Sequence, residues 1–190
     1  SKLSDKTRLV WLEAAGSVTL EFPDLVGMVR LCRARGVCTA LDNTWGAGIA
    51  FAPFDLVPGA QAPLGVDVTA QALTKYPSGG GDVLMGSVVT RDPALHMRIK
   101  LTHMRLGLHA GSNDVELVLR ALPSIHLRYR AHDASTRDVA TWCQGQPEFA
   151  QVLHPALPGS PGHAHWRSLC TSDAAACLFA VVLDPRFSQP

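Results

Sequence analysis

Two charged residues, Asp42 and Lys75, each follow an apolar stretch that is predicted to form a β-strand. In open α/β sheets ligands bind beyond the carboxyl ends of the strands, so both side chains could reach one site. A lysine beside low-dielectric walls loses its proton readily and can form a Schiff base. A carboxylate that faces a pyridine nitrogen keeps it protonated, and the ring then accepts electrons from a carbanion. Taken alone, each residue is more typical of a solvated strand end.

The segment after Lys75, residues 76–82, contains three consecutive glycines, Gly79, Gly80 and Gly81. Glycines let the backbone approach a ligand or adopt positive φ angles. A flexible turn before the next strand explains the segment equally well. The segment is not a P-loop, because it contains no Gly-Lys-Ser or Gly-Lys-Thr. The whole sequence also lacks the Gly-x-Ser-x-Gly motif of serine hydrolases. A nucleophilic hydrolase therefore has little support.

The elements that must position these residues alternate between strand and helix in the first half of the chain. Pro23 and Gly36 flank the apolar spacing of a helix at Asp24–Arg35. The strands are predicted at Arg8–Glu13, Val37–Leu41, Asp67–Leu73 and Val83–Thr90. The first strand–helix–strand unit is long enough to require parallel pairing of its two strands.

The second half is predicted to be mainly helical, with a domain boundary near Leu122. Residues 1–121 would then form the C-terminal portion of a larger cofactor-binding domain. Residues 122–190 would form a linking helix and the incomplete beginning of a C-terminal domain. The predicted helices are His96–Leu108, Asn113–Leu122 and Ile125–Cys143, the short strands are Gln151–Leu153 and Cys177–Leu183, and Pro/Gly-rich loops occupy Pro53–Gly65 and His154–His165.

Composition excludes several classes of protein. The net charge is +1, and no basic stripe or long apolar run is present, so neither nucleic acid nor a membrane is an expected partner. No histidine pair has a carboxylate or thiol at metal-ligand spacing, so no metal site is expected. The five cysteines are an odd number without a Cys-x-x-Cys pair, which indicates free thiols in a reducing compartment. We therefore expect a soluble, cytoplasmic protein.

Five short segments carry a resemblance to a known family. They are residues 10–19 (VWLEAAGSVT), 41–45 (LDNTW), 71–76 (QALTKY), 82–86 (DVLMG) and 153–160 (LHPALPGS), and Gly162-His163 also fits. With these motifs in order over roughly residues 7–183, the chain resembles the Cys/Met-metabolism family of pyridoxal-phosphate enzymes.

The resemblance implies an α/β architecture of fold type I, like aspartate aminotransferase. A mostly parallel sheet would lie between helices in the large domain, with the start of a small C-terminal α+β domain after it. Pyridoxal 5'-phosphate is the implied cofactor. The resemblance assigns Lys75 as the catalytic, Schiff-base lysine, Asp42 as the partner of the pyridine nitrogen, and Thr74 as a residue that helps to hold the phosphate. Asn43 and Trp45 would have supporting roles.

The activity implied is that of a carbon–sulfur lyase of transsulfuration and methionine biosynthesis. The expected reaction is β-elimination of cystathionine, a small amino-acid substrate, to homocysteine, pyruvate and ammonia. γ-Synthase, γ-lyase or cysteine desulfhydrase activity remain alternatives within the family. An alternative of another class is a non-catalytic, truncated chain that only assembles with other subunits. The resemblance also suggests a homo-oligomer, specifically a homotetramer, for the complete enzyme.

The sequence departs from the family pattern at three places. Ala14-Ala15 replaces Ser-Pro, Ala72 stands where many members have serine, and residues 79–82 replace Gly-His-Ser-Asp. In addition, the stretch Pro58–Leu64 resembles an insertion. Family enzymes are also about twice this length. Their ring-stacking tyrosine, phosphate loop and substrate-carboxylate arginine have no match here, so we expect this chain to be part of a longer enzyme.

Overall fold

A four-stranded sheet organises the first half of the chain in the computed structural model, which describes residues 2–187. Its strands are β1 (Leu9–Glu13), β2 (Cys38–Asp42), β3 (Val68–Ala72) and β4 (Gly86–Thr90), in that spatial order. The β1–β2 and β2–β3 pairs are parallel, which confirms the predicted pairing, and β4 is antiparallel to β3. The carboxyl ends of the first three strands therefore share one edge of the sheet.

Helix α1 (Leu25–Ala34) makes the crossover from β1 to β2. The Asp24 side chain caps its first turn by accepting a hydrogen bond from the Gly27 amide at 2.9 Å. Leu25, Val29 and Cys32 form the buried stripe of the helix. The spacing of these three residues is that of one helix face, so their burial holds α1 against the sheet.

The connection from β2 to β3 contains no regular helix or strand, as predicted for its proline- and glycine-rich part. Its apolar side chains nevertheless belong to the core, because Phe51, Leu56 and Leu64 are buried. Arg33 of α1 fixes the end of this connection, with hydrogen bonds to the carbonyls of Pro63 (2.6 Å) and Gly65 (3.1 Å).

Three helices follow β4. They are α2 (Pro93–Arg105), α3 (Ser112–Ala121) and α4 (Ile125–Gln144), with a 3₁₀ turn at Leu122–Ser124 before α4. Helix α2 begins three residues before the predicted start at His96, because the Asp92 carboxylate accepts hydrogen bonds from the amides of Ala94 and Leu95. Pro93 occupies the first helical position, where its missing N–H is not needed.

The remaining elements are β5 (Phe149–Leu153), α5 (His163–Leu169) and β6 (Ala180–Leu183), followed by a 3₁₀ turn at Pro185–Phe187. Strands β5 and β6 form a separate antiparallel pair. The prediction that the loop extends through His165 is wrong at its end, because α5 begins at His163. Gly162 has a φ of 78° before this helix, and the buried side chain of Trp166 anchors it.

The main hydrophobic core contains residues from both sides of the predicted boundary near Leu122. Phe22 and Leu41 from the first half share one cluster with Tyr129, Trp166 and Leu169 from the second. The division into two domains at that position stays a prediction.

Candidate active site

A cavity of about 590 Å³ opens at the edge where the parallel strands end. Its size lies within the range of about 300–1,000 Å³ that is usual for cofactor and ligand sites. Asp42, Thr74 and Lys75 all line it. The structure therefore brings together the three residues that the sequence singled out.

Asp42 is the last residue of β2 and is half-buried at the cavity wall. One carboxylate oxygen, Oδ1, accepts a hydrogen bond from the Thr44 amide at 2.9 Å. The Thr44 hydroxyl oxygen in turn accepts the Ala72 amide at 2.9 Å, and the Asn43 amide donates to the Ala70 carbonyl at 2.8 Å. These bonds fix the position of the carboxylate relative to the end of β3, from which the Lys75 turn continues.

Lys75 lies in a tight turn immediately after β3. The Ser78 amide donates to the Leu73 carbonyl at 2.9 Å, and the Ser78 hydroxyl donates to the Thr74 carbonyl at 2.8 Å. Tyr76 and Ser78 are buried, whereas the Lys75 side chain is exposed and lines the cavity. The turn therefore has a fixed backbone and a lysine that can reach a bound molecule.

The Thr74 hydroxyl faces the strand that follows the turn. Its oxygen lies 3.4 Å from the Met85 carbonyl and 3.3 Å from the Met85 amide. Both hydrogen bonds are long, so the hydroxyl can exchange a backbone partner for a ligand at small cost. The predicted contact of Thr74 with a phosphate is compatible with this geometry and stays a prediction.

Three cavity residues were not predicted because they come from distant segments: Arg128, His132 and Cys177. Tyr76, directly after Lys75, also lines the cavity. The Tyr76 phenol oxygen accepts a hydrogen bond from the Cys177 amide at 2.7 Å, and its ring packs on that of Tyr129 with centroids 4.7 Å apart. Burial strongly raises the pKa of Tyr76, so the phenol stays neutral. In the sequence, Tyr76 stood out only as the last residue of the 71–76 segment, next to Lys75.

Trp45, at the end of the Asp-Asn-Thr-Trp segment, connects the cavity to the core. Its ring packs edge-to-face on Phe22, with centroids 5.7 Å apart, and its carbonyl accepts a hydrogen bond from the Tyr129 hydroxyl at 3.3 Å. Burial raises the pKa of Tyr129 and keeps this hydroxyl protonated. This arrangement places Trp45 between the cavity wall and the core, and the supporting role predicted for it stays a prediction.

A larger cavity, of about 750 Å³, lies at the opposite edge of the sheet and is lined by Arg33, Asp67, Arg91 and Arg98 among others. It contains no lysine and none of the predicted site residues, so its size does not make it the better candidate. Within residues 2–187, no group of three or more His, Cys, Asp or Glu side chains is arranged to hold a metal ion. No helix in that range is long and apolar enough to cross a bilayer.

Comparison with known proteins places this geometry in context. The family model described as "Cys/Met metabolism PLP-dependent enzyme" matches residues 1–187. The chain is 33% identical to a cystathionine beta-lyase of Bordetella avium, over 96% of this chain and 44% of that protein. It is 29% identical to a cystathionine gamma-lyase of Dictyostelium discoideum, over 84% of this chain and 39% of that protein. The chain thus spans less than half the length of these two relatives.

Solved structures show the same fold. The cystathionine gamma synthase of Xanthomonas oryzae pv. oryzae, in complex with aminoacrylate and cysteine, superimposes with a TM-score of 0.79 at 29% identity. The alignment covers 93% of this chain and 43% of that one. The fold-type I prediction is therefore confirmed, while the relatives differ among themselves in the reaction named for them.

Proposed function

The chain belongs to the pyridoxal-phosphate-dependent enzymes of Cys/Met metabolism, and we propose that it forms part of a carbon–sulfur lyase that performs β-elimination on cystathionine. The observation that carries this proposal is the convergence of Asp42, Thr74 and Lys75 on one cavity. The similarity to a cystathionine beta-lyase supports the choice of substrate and reaction.

The residues of the cavity fit pyridoxal phosphate. When bound, this cofactor supplies an electron-accepting pyridine ring and a carbonyl carbon that an amine can attack. Asp42 would hold the ring nitrogen protonated, using the carboxylate oxygen that the Thr44 amide leaves free. Thr74 and the adjoining glycine turn would contact the phosphate. Within residues 2–187, the Asp42 carboxylate accepts a hydrogen bond only from Thr44, so a further donor can be accommodated.

Lys75 would act twice. Its Nζ would hold the cofactor at the carbonyl carbon until substrate takes that place. The freed amine would next take the proton from the substrate Cα, as a general base. This second role needs a neutral amine close to Cα, and the rigid turn around Ser78 supports it by fixing the lysine backbone.

Loss of the Cα proton would release homocysteine from the β-carbon, and hydrolysis of the remaining three-carbon unit would give pyruvate and ammonia. γ-Elimination would instead give 2-oxobutyrate, so product analysis distinguishes the two reactions. We expect the complete protein to convert cystathionine to pyruvate, and Lys75→Ala to abolish this conversion. Accumulation of 2-oxobutyrate with cysteine would contradict β-elimination, while loss of either product in Lys75→Ala would still support the lysine assignment.

The complete enzyme is proposed to be a cytoplasmic homotetramer, on the strength of its resemblance to the family. Sedimentation of the complete protein at several concentrations checks the assembly: a single species with four times the subunit mass is expected. A monomer would contradict it.

A second candidate, favoured by one observation, is that the 190-residue chain alone assembles with other polypeptide without catalysing. Helix α2 has no buried residue, and Val88 and Val89, on opposite faces of β4, are 53% and 48% exposed. Such apolar surface is typical of a contact with further protein. This candidate expects no borohydride-reducible adduct when pyridoxal phosphate is added to the 190-residue chain, whereas the proposed site expects one.

A further inference from the structure

Arg128 of α4 contacts the lysine turn directly. Its Nη1 donates to the Tyr76 carbonyl at 2.6 Å, one residue after Lys75 in the chain. The guanidinium also packs against Gly79, since a Cβ built on that glycine would lie 3.0 Å from the Arg128 Cζ. The arginine therefore touches the turn both at its start and at its glycine segment.

The other two donor groups of Arg128 hold it in place. Nε donates to the Ser124 hydroxyl oxygen at 3.0 Å, and Nη2 donates to the Ala121 carbonyl at 3.1 Å. The Ser124 hydroxyl donates to the same Ala121 carbonyl at 3.0 Å. A planar guanidinium with three fixed acceptors has little freedom left, so the position of the Tyr76 carbonyl is tied to the junction between α3 and α4.

The opposite side of Tyr76 is tied to another segment. Its phenol oxygen accepts a hydrogen bond from the Cys177 amide, and its ring packs against the ring of Tyr129, which is also in α4. The residue after Lys75 is thus held through its carbonyl, its ring and its hydroxyl, while Lys75 itself is exposed. The Lys75 backbone is bonded directly to that of Tyr76. Small movements of the Tyr76 backbone would therefore change the position of Nζ in the cavity.

We propose that Arg128 is a positioning residue for Lys75: by clamping the Tyr76 carbonyl to the α3–α4 junction, it sets where the lysine amine enters the cavity. This inference rests on the proposed role of Lys75. Three of the five N–H donors of Arg128 bind acceptors within the protein, and the positioning role requires no contact of Arg128 with cofactor or substrate.

The test compares Arg128→Gln with a matched control on the same helix, Arg130→Gln. Arg130 also donates to a backbone carbonyl, that of Ser172 at 3.0 Å, but does not line the cavity. Each variant of the complete protein is incubated with pyridoxal phosphate, reduced with borohydride, digested and analysed by mass spectrometry for the adduct on Lys75. The pH midpoint of the absorption change of the unreduced adduct is recorded as well, because a general loss of stability would not shift it.

We expect Arg128→Gln to lower the rate of adduct formation on Lys75 about tenfold or more, as for other misplaced reacting groups, and to shift the pH midpoint. Arg130→Gln should match the unsubstituted protein in both measurements. Arg128→Lys keeps the charge but can reach only part of the acceptors, so it should be intermediate. If Arg128→Gln and Arg130→Gln behave alike in rate and midpoint, the positioning role is wrong.

Amide hydrogen exchange separates failure of this inference from failure of the proposed function. Residues 74–81 should exchange faster in Arg128→Gln than in Arg130→Gln, with or without cofactor. If the unsubstituted protein forms no Lys75 adduct, the proposed function falls, and this exchange difference alone decides whether Arg128 positions the turn. Should Arg128→Gln fail to fold, Ser124→Ala removes the acceptor of Nε together with the hydroxyl's own bond to the Ala121 carbonyl. It should show the same exchange difference to a smaller degree, and the absence of that difference would contradict the inference.

Discussion

The Asp42 carboxylate is oriented by the hydrogen bonds of Thr44, through both the backbone and the side chain of that residue. The Thr44 amide holds one carboxylate oxygen at 2.9 Å, and the Thr44 hydroxyl ties the same segment to Ala72. The carboxylate is therefore oriented before any ligand arrives. Orientation of this kind is valuable because a preorganised charge needs no rearrangement during the reaction.

Replacing Asp42 by asparagine tests this role. The amide oxygen of the new side chain can still accept the Thr44 N–H, so the fold should be retained, while the negative charge is lost. We expect the rate of pyruvate release to fall about a hundredfold or more, the size of effect seen when a preorganised electrostatic group is removed. Asp82→Asn, in the exposed glycine turn, is the control and should keep a stability within about 0.5 kcal/mol of the unsubstituted protein. Activity of Asp42→Asn near that of the unsubstituted protein would exclude Asp42 as the ring partner.

The residues at the site differ in how far the sequence could predict them. Asp42 and Lys75 were predictable because each follows a parallel strand, and parallel strands end at one edge. Arg128 and Cys177 were not, since they lie 52 and 101 residues from their hydrogen-bond partner Tyr76. Their contact depends on how α4 and the segment after α5 pack on the sheet, which local spacing does not encode.

At the scale of elements, α4 links the cavity to the rest of the molecule. Its buried Asp133 accepts hydrogen bonds from Arg137 Nε at 2.8 Å and from the Ala175 amide at 3.0 Å. Arg137 continues to the Asp173 carbonyl and lies over the Trp166 ring. This network holds the segment that supplies Cys177 to the cavity.

Asp133→Ala should therefore destabilise the protein through this element. It would leave the Ala175 amide without its acceptor and the partly exposed Arg137 with only its longer ion pair, to Asp173 at 3.5 Å. We expect a loss of about 2–3 kcal/mol in the free energy of unfolding, at the lower end for a broken pair because Arg137 is 27% exposed. Urea denaturation measures it, with the exposed Asp138→Ala on the same helix as control. Equal stability of the two variants would mean that the network does not hold the segment.

Two elements begin at residues other than those predicted, because tertiary contacts outweigh the local sequence pattern. The sequence predicts a strand that begins at Val83, but β4 begins at Gly86. The Met85 amide, just before β4, instead donates a hydrogen bond to the Thr74 hydroxyl oxygen in the Lys75 turn. The start of helix α5 was predicted to be loop because three prolines and two glycines occur in residues 154–165. Burial of Trp166 and Leu169 stabilises that short helix, and burial is not visible in a seven-residue pattern.

At the scale of the whole molecule, His154 couples stability to pH. It is fully buried, its amide donates to the Ser160 hydroxyl oxygen at 3.1 Å, and its Nδ1 accepts the Ala156 amide at 3.3 Å. Burial first, and then the charge of Arg137, lower the pKa of His154 from 6.5 to about 4, against the opposing effect of Asp133. The folded protein therefore keeps this ring neutral at pH values where the unfolded chain binds a proton.

The sign of the effect follows from this difference. Above pH 6.5 neither state is protonated, and between 6.5 and 4 only the unfolded state gains a proton, so stability is lost as the pH falls through that window. The loss should approach about 2–3 kcal/mol by about pH 4.5. Denaturation at about pH 7, 5.5 and 4.5 measures it, and His154→Asn, which keeps an acceptor for the Ala156 amide, should reduce the slope. The same slope in both proteins would assign the pH dependence to other groups.

Lys75 is proposed to carry the cofactor, and peptide mapping distinguishes it from the other three lysines of this chain, Lys2, Lys6 and Lys100. The complete protein is incubated with pyridoxal phosphate, reduced with borohydride and mapped by mass spectrometry, with Lys100→Ala as a matched variant. We expect one stoichiometric adduct, on Lys75, that persists in Lys100→Ala and disappears in Lys75→Ala. An adduct on another lysine, or none, would contradict the assignment of Lys75.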